Sequence, residues 1–337
     1  METTQERKNS TPFLTTGLVL GKFAPLHKGH QLLIETACAQ CDEVFVLIYD
    51  SREVISIPLH IRADWIRHLY PEVIVIEGWD GPLESGDTPK IKAFQEEYIK
   101  RVLPKPVTHF FSSEWYGEHV SHALGAKNIL VDQKRLTVPI SGTLIRNKPH
   151  QYKTFLDPYV YKDFMKKIVF LGAESTGKST IVRALAEKYQ TEAVMEYGRE
   201  YWDAHHDENG QLSLEQLVEL AKVHRAREDR ACLSAQQYVF IDTNAITTRY
   251  YSQLYHGSVH PVLDRLARLC FSRYDACFVC DTDIPFEQDG TRRDEQHRNS
   301  MQQTLIKDLT ERGISFDLLS GSLEERVIQV KYILSKM

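Results

Sequence analysis

Residues 172–179 read Gly172-Ala173-Glu174-Ser175-Thr176-Gly177-Lys178-Ser179, and their flanks decide the fold. Before them lies Lys167-Ile-Val-Phe-Leu171, a short apolar run of the kind that forms a buried strand. After them comes Thr180-Ile-Val-Arg-Ala-Leu-Ala-Glu-Lys-Tyr189, with apolar residues at helical spacing. A strand, a glycine loop ending in Lys-Ser and a helix are the context that a phosphate-binding P-loop requires. Gly172 and Gly177 permit backbone geometry that turns successive N–H groups toward phosphate oxygens, and the positive end of the helix adds to that field. Lys178 is then placed to reach the β- and γ-phosphates of ATP, and the Ser179 hydroxyl to meet Mg²⁺. The loop through Thr180 is expected to hold the triphosphate.

The position of this loop matters as much as its identity. P-loop domains begin near their P-loop, yet about 165 residues precede this one, so they are expected to form a separate domain. The full 337 residues suit two domains of ordinary size, and 42% hydrophobic content lets each bury a core. A net charge of −5 with no long basic run argues against a nucleic-acid-coating protein. No apolar run approaches the ~18–20 residues that cross a bilayer, and the polar N-terminus lacks a signal-peptide core. The expectation is a soluble, cytoplasmic protein with residues 1–16 disordered, no membrane partner and no nucleic-acid partner; a homo-oligomer stays open.

Six cysteines include two Cys-x-x-Cys pairs, Cys38/Cys41 and Cys277/Cys280. A zinc ribbon places its pairs about 15–20 residues apart, whereas these are more than 230 apart. Cys277 and Cys280 also fall in an apparent strand, where a spacing of three sends side chains to opposite faces. Free buried thiols are the expectation.

In the first half, Gly17-Leu-Val-Leu-Gly21 reads as a strand running into Lys22-Phe23-Ala-Pro-Leu-His27-Lys-Gly-His30, with a helical pattern behind it. Strands at 43–49, 73–76, 107–111 and 128–131 then alternate with helices at 58–70, 91–102 and 118–124. Such alternation predicts a parallel α/β sheet with ligands at the carboxyl ends of its strands. The segment from Gly21 to His30 lies at such an end. A second cluster, Pro139-Ile-Ser141-Gly142-Thr143-Leu-Ile-Arg146, puts two hydroxyls and a guanidinium at a helix start, another place for phosphate.

The two motifs together, Gly-Lys-Phe-x-Pro-x-His-x-Gly-His and Ile-Ser-Gly-Thr-x-Ile-Arg, resemble the nucleotidylyltransferase superfamily, which joins a nucleotide's α-phosphate to a phosphorylated acceptor and releases pyrophosphate. With no covalent enzyme intermediate, positioning and charge neutralisation carry the catalysis. The resemblance implies that His27 and His30 contact the ATP phosphates, that Lys22 and Arg146 neutralise developing charge, and that Ser141 and Thr143 hold β- and γ-oxygens. It further implies ATP contacts for Gly21, Phe23, Gly142, Asp132 and Arg135, and a role for Phe111-Ser-Ser-Glu114-Trp-Tyr-Gly117. Fused to a P-loop domain, the Ile-Ser-Gly-Thr form resembles the bifunctional nicotinamide-nucleotide adenylyltransferase/ribosylnicotinamide kinases, the NadR type, from Gly17 to the C-terminus. Some of those proteins carry a helix-turn-helix domain in front. The 16 residues before the first strand are too few for one, so DNA binding is not expected.

In the second half, the resemblance places Glu196-Tyr197-Gly-Arg199-Glu-Tyr-Trp202 along the acceptor pocket. The strand Tyr238–Ile241 ends in Asp242, positioned like a Walker B acid that holds Mg²⁺ beside Ser179. Asn244 stands where relatives often carry a second acid, which puts in doubt a base at that position. Asp281–Arg293, rich in Pro, Gly and charge, reads as a lid whose Arg292 and Arg293 close over the transferring phosphate. Trp65, Trp79, Tyr49 or Trp202 is available to stack on a pyridinium ring.

The resulting expectation is an α/β chain of two mainly parallel sheets. Residues 17–150 form a Rossmann-like nucleotidylyltransferase domain, 151–166 a linker or short helix, and 167–337 a P-loop kinase domain. With ATP and Mg²⁺, the second phosphorylates nicotinamide riboside to nicotinamide mononucleotide (NMN), and the first adenylylates NMN to NAD. Two alternatives are another acceptor on the same folds, and a nucleotide-sensing regulator.

Overall fold

The computed structural model describes residues 14–81, 88–114, 116–288 and 292–337. Residues 1–13 of the N-terminus expected to be disordered, Trp115 of the 111–117 segment, and residues 289–291 of the lid lie outside them. The chain divides into two compact units, Met1–Val160 and Tyr161–Met337.

In the first unit, β1 (Thr16–Gly21), β2 (Glu43–Tyr49), β3 (Ile74–Gly78), β4 (His109–Ser112) and β5 (Lys127–Leu130) form one parallel sheet in the order β3-β2-β1-β4-β5. Helices α1 (Lys28–Gln40), α2 (Leu59–Leu69), α3 (Pro89–Val102) and α4 (Gly117–Leu124) connect the strands, and α5 (Gly142–Asn147) follows them. The central strands β1 and β2 are buried because their residues are apolar on both faces, as a sheet covered by helices on each side demands. Leu18, Phe45, Leu47 and Phe110 pack with Tyr98, Ile99 and Val120 of α3 and α4. The folded unit begins earlier than expected. Thr15 donates its backbone N–H and its hydroxyl to Asp42 at 2.8 and 2.6 Å, and Thr16 is already in β1.

In the second unit, β6 (Lys166–Leu171), β7 (Ala193–Val194), β8 (Tyr238–Asp242), β9 (Ala276–Cys280) and β10 (Asp317–Leu319) form a second parallel sheet, ordered β10-β9-β6-β8-β7. The short α6 (Pro158–Tyr161) lies at the division between the units. Helices α7 (Lys178–Tyr189), α8 (Gly198–His205), α9 (Leu214–Ser234), α10 (Ala245–His256), α11 (Pro261–Leu269), α12 (Glu295–Glu311) and α13 (Leu323–Leu334) surround the sheet. The core joins Phe170, Phe240 and Phe278 from three adjacent strands with Ile181, Val182 and Leu185 of α7 and Val330 of α13.

Both sheets reverse strand direction of growth beside their first strand, at β1 between β2 and β4 and at β6 between β9 and β8. A crevice opens at the carboxyl ends at such a point. Both phosphate-binding motifs follow these strands.

The four cysteines of the second unit are free and buried, whereas Cys38 and Cys41 are free but only half-buried. Among the described residues no cluster of His, Cys, Asp and Glu is arranged to hold a metal, and no helix is long and apolar enough to cross a membrane.

Candidate functional sites

The N-terminal site is a cavity of about 360 Å³ at the carboxyl end of β1. Lys22, Phe23, His27 and His30 reach it from the segment after β1, Arg135 from the loop after β5, and Ser141, Gly142, Thr143 and Arg146 from the start of α5. The fold thus brings together two motifs separated by more than a hundred residues. Gly21 closes β1 and does not line the cavity.

The hydrogen-bond partners assign the tautomer of His27 and anchor the ring of His30. His27 caps α1, its Nδ1 accepting from the Gly29 N–H at 3.1 Å. Its proton therefore sits on Nε2, which remains free to donate. Nδ1 of His30 lies 3.2 Å from the Pro25 carbonyl oxygen and 3.5 Å from the His27 N–H, so it donates to the first or accepts from the second according to its tautomer. The rings stack with centroids 3.9 Å apart and planes at 23°. Burial, with Arg135 adding to it, lowers the pKa of His27 to about 4. Burial and then the neighbouring His27 push that of His30 well below its usual value. Both rings are neutral in the free protein at pH 7, and a polyphosphate supplies the opposite charge that favours the imidazolium form.

This has a consequence for stability. Between pH 6.5 and about 4 the unfolded chain protonates His27 and the folded chain does not, so the unfolded state binds more protons. Stability is fully present above pH 6.5 and falls as pH drops through that window. His224 in the second unit, also pushed down to about 4 by burial, acts in the same direction. The urea midpoint should fall from pH 6.5 to 4, and His27→Gln should make that fall shallower for the first unit.

Arg146 is held by two bonds, from Nη1 to the Ala24 carbonyl at 2.6 Å and from Nη2 to Thr143 Oγ1 at 3.0 Å. A Cβ at position 142 would stand 3.0 Å from that same carbonyl and 3.1 Å from Arg146 Nη1, which explains the glycine. Ser141 caps α5 by accepting from the Leu144 N–H, and its hydroxyl hydrogen stays available. Lys22 pairs with Glu53 at 3.0 Å, and Arg135 with Glu114 at 3.3 Å. Asp132 lines the cavity but accepts from the backbone N–H groups of Leu136, Thr137 and Val138 at 2.8–3.0 Å. These bonds hold its pKa below the usual carboxylate value. It shapes the 132–138 loop that carries Arg135, and its oxygens are already engaged.

Beneath this site lies Arg62 of α2, fully buried. It donates to the carbonyl oxygens of Lys22, of Tyr49 at 3.1 Å and of Ile57 at 3.1 Å, and pairs with Asp50 at 3.5 Å. One guanidinium thereby ties the segment after β1 to the end of β2. Arg62→Ala leaves those carbonyl oxygens without this donor in the interior and should cost about 3 kcal/mol or more, read as a lower urea midpoint. Trp65, one turn along α2, is also fully buried. It belongs to the core and lines neither this cavity nor those of the second unit, which corrects the expectation that it holds a pyridinium ring.

The C-terminal site centres on a cavity of about 550 Å³ around the P-loop. Gly172 has φ 137°, and a Cβ there would stand 2.7 Å from the Cys280 carbonyl, so only glycine lets β6 turn against β9. Gly177, at φ 81°, starts α7. Lys178 is almost buried and donates to the Ala173 carbonyl at 2.7 Å. Glu174, Ser175, Thr176, Ser179 and Thr180 line the cavity with the two glycines. Ala173 does not. It is buried and its N–H donates to Gln302 Oε1 at 2.8 Å, so the expected phosphate contact is spent on α12. Two further side chains brace the loop. Arg298 donates to the Ser175 carbonyl at 3.4 Å and to that of Ile284 at 2.9 Å, and Arg326 to that of Thr176 at 2.6 Å, while Gln302 also donates to the Cys280 carbonyl at 3.0 Å.

Asp242 is fully buried and accepts the Ser179 hydroxyl on Oδ2. Its Oδ1 has no hydrogen-bond partner in the protein. A carboxylate oxygen buried without a partner is costly, and a divalent cation beside Ser179 would satisfy it. The residues present therefore fit Mg²⁺.

A second cavity of about 420 Å³ adjoins the first, sharing Glu174, Glu196, Arg199, Thr243, Tyr251 and Arg292 with it. Tyr197, Trp202, Asn244 and Tyr255 are among its other lining residues, with His224 and leucines of α9. The helix α10, which the sequence reading does not single out, supplies Tyr251, whose hydroxyl donates to Glu174 at 2.7 Å. Asn244 caps α10, accepting from the Ile246 N–H at 2.9 Å. Thr243 turns the chain at φ 66° between Asp242 and this cap. Arg227 lies 3.7 Å over the Tyr197 ring, which occupies one of its faces. Arg292 reaches both cavities, whereas Arg293 lines neither and lies 6.0 Å over the Tyr255 ring.

One parallel α/β unit with a polyphosphate cavity at its switch point and a second with a P-loop define a nucleotidylyltransferase domain joined to a P-loop phosphotransferase domain. Comparison with known proteins agrees: residues 18–148 match the cytidylyltransferase-like family and residues 167–326 an AAA domain family. The trifunctional NAD biosynthesis/regulator protein NadR of Escherichia coli K12 is 31% identical over 329 residues, covering 90% of this chain and 78% of that protein. A crystal structure of NadR protein in complex with NR superposes with a TM-score of 0.69 at 25% identity, covering 91% of this chain and 89% of that one. A NadR structure in complex with NAD and AMP-PNP shares the fold, with a TM-score of 0.71 at 23% identity, covering 96% and 97%. The chain belongs to the NadR family.

Proposed function

We infer that this protein makes NAD in two steps, phosphorylating nicotinamide riboside and then adenylylating the mononucleotide, each with ATP. The observation that carries this reading is the presence, in a chain of the NadR family, of two separate polyphosphate sites of different chemistry. One sits at a Rossmann-like switch point. The other is a P-loop cavity that opens into a second, aromatic-lined cavity.

In the second unit, ATP lies with its β- and γ-phosphates on the P-loop and Lys178, and the riboside occupies the adjoining cavity. Ser179 and Asp242 would hold Mg²⁺, which would neutralise charge on the phosphates. Tyr197, Trp202, Tyr251 and Tyr255, with the Glu174 carboxylate among them, suit a cationic ring, which is attracted both to aromatic faces and to negative charge. The 5′-hydroxyl oxygen attacks the γ-phosphorus and ADP leaves. Lys178 and Arg292 balance the charge on the transferring group.

In the first unit, a phosphate oxygen of NMN attacks the α-phosphorus of a second ATP, and pyrophosphate leaves. The Nε2–H of His27 donates to a phosphate oxygen. His30, protonated as the polyphosphate binds, does the same, with Arg146 and Lys22 adding charge and Ser141 and Thr143 donating from their hydroxyls. No residue forms a bond to the nucleotide, so the rate comes from orientation and a fixed array of donors. Residues 17–150 and 167–337 are assigned to these two activities, and six free thiols suit a cytoplasmic setting.

Product analysis with ATP-Mg²⁺ tests this reading, with the riboside supplied in one tube and NMN in another. NAD should form in both. NAD from NMN alone would leave the P-loop domain with a different substrate, and NAD from neither would overturn the nicotinamide assignment.

A further inference from the structure

Three carboxylates stand near the point where the P-loop cavity meets the aromatic one, and two are committed. Asp242 takes the Ser179 hydroxyl on one oxygen, and its other oxygen, buried without a hydrogen-bond partner, is the one the cation would satisfy. Glu174 accepts the Tyr251 hydroxyl at 2.7 Å. Asn244, two residues past the β8 carboxylate on which a base might have been sought, carries no acid and is occupied in capping α10.

Glu196 is different. It lies between β7 and α8, lines both cavities, and is open to the solvent within them. Its carboxylate makes no hydrogen bond and no ion pair with a described residue. A Cβ at position 198 would stand 3.3 Å from its Oε1, so Gly198 leaves the carboxylate room at the start of α8. The groups that face it are Lys178 and Asp242 from the phosphate side, Arg199 from α8 and Glu174 from the P-loop.

We propose that Glu196 is the general base of the phosphoryl transfer, taking the proton of the acceptor's hydroxyl as its oxygen bonds to the γ-phosphorus and the bond from that phosphorus to the departing ADP breaks. The proposal rests on the reading of the aromatic cavity as the nucleoside site. One proton moves to one carboxylate oxygen, and a later exchange with solvent restores the base. The surroundings tune it for that work. Crowding by protein atoms at the base of the cavity raises its pKa, with Asp242 and Glu174 acting in the same direction against Lys178 and Arg199. A carboxylate shifted in this direction holds a proton better than an ordinary one.

The experiment compares the wild type with Glu196→Gln and Glu196→Asp, using nicotinamide riboside and ATP-Mg²⁺, with protection of the second unit against proteolysis by an ATP analogue measured in the same preparations as a check on its folding. Wild type should form the mononucleotide with a kcat that falls on the acid side of its pH profile. Glu196→Gln should lower kcat about 10²-fold or more, keep the KM for riboside within a few-fold, and lose that acid limb. Glu196→Asp should retain the limb with an intermediate kcat. A Glu196→Gln enzyme with kcat within a few-fold of wild type and the limb intact would overturn the assignment. So would a large rise in KM at unchanged kcat, which would make Glu196 a binding residue. A wild type that adenylylates NMN but leaves the riboside untouched would instead overturn the reading of the cavity on which the proposal rests.

Discussion

Lys178→Ala should lower mononucleotide formation from the riboside by about 10²–10³-fold or more, while adenylylation of supplied NMN stays within about twofold of wild type. Lys178 is the one lysine of the P-loop, nearly buried at its mouth with its ammonium on the Ala173 carbonyl. In the free loop it contributes a hydrogen bond that alanine loses. With ATP bound it supplies a full positive charge beside the phosphates, in surroundings where water cannot replace it. The folding effect and the catalytic effect are separable. Binding of an ATP analogue to the second unit survives a purely catalytic loss and is reported by protection against proteolysis. Loss of both activities together would mean that the two sites do not act independently.

The second large effect runs the other way. His30→Ala should lower adenylylation of NMN by about 10²-fold or more and leave phosphorylation of the riboside unchanged. His30 stacks on His27, and its Nδ1 is held between the Pro25 carbonyl and the His27 N–H, so its Nε2 is presented in a fixed direction. Alanine removes the donor and leaves the His27 ring without the surface it stacks against. His30→Asn keeps a polar group but cannot carry the charge that a bound polyphosphate draws onto imidazole. It should recover little of the rate. Steady-state assays of each half-reaction with the same enzyme stock check both variants, and full recovery by His30→Asn would show that a neutral donor suffices.

Much of this architecture was legible from local pattern. The strand before Gly172, the helix after Ser179 and the alternation through the first unit are set by runs of five to seven apolar residues, and the observed elements fall within a few positions of those runs. Both phosphate motifs could be read because each occupies a single continuous turn at a strand end. What pattern did not give were contacts between distant segments. Arg62 looks like one more charge on an amphipathic helix, and nothing nearby in sequence says that it will be buried beneath Lys22 and Tyr49. Gln302, Arg298 and Arg326 brace the P-loop from more than 120 residues away. The loss of the Ala173 N–H to Gln302 is invisible for the same reason. Trp65 shows the converse. An aromatic residue is readily cast as a ligand platform from sequence, but α2 turns it wholly into the core. Asp132 resembles a ligand contact by its place in the chain, and its carboxylate instead organises the loop that follows it.

The central claim is that one chain adds two different phosphates of ATP to one nicotinamide riboside. The most direct measurement supplies riboside with ATP labelled at the γ-phosphate with one phosphorus isotope and at the α-phosphate with another, then isolates the NAD. The account predicts both labels in each molecule, the γ-label on the nicotinamide side and the α-label on the adenosine side, and the α-label alone when unlabelled NMN replaces the riboside. NAD that carries no γ-label when formed from riboside, or no NAD from riboside while NMN is converted, would contradict it.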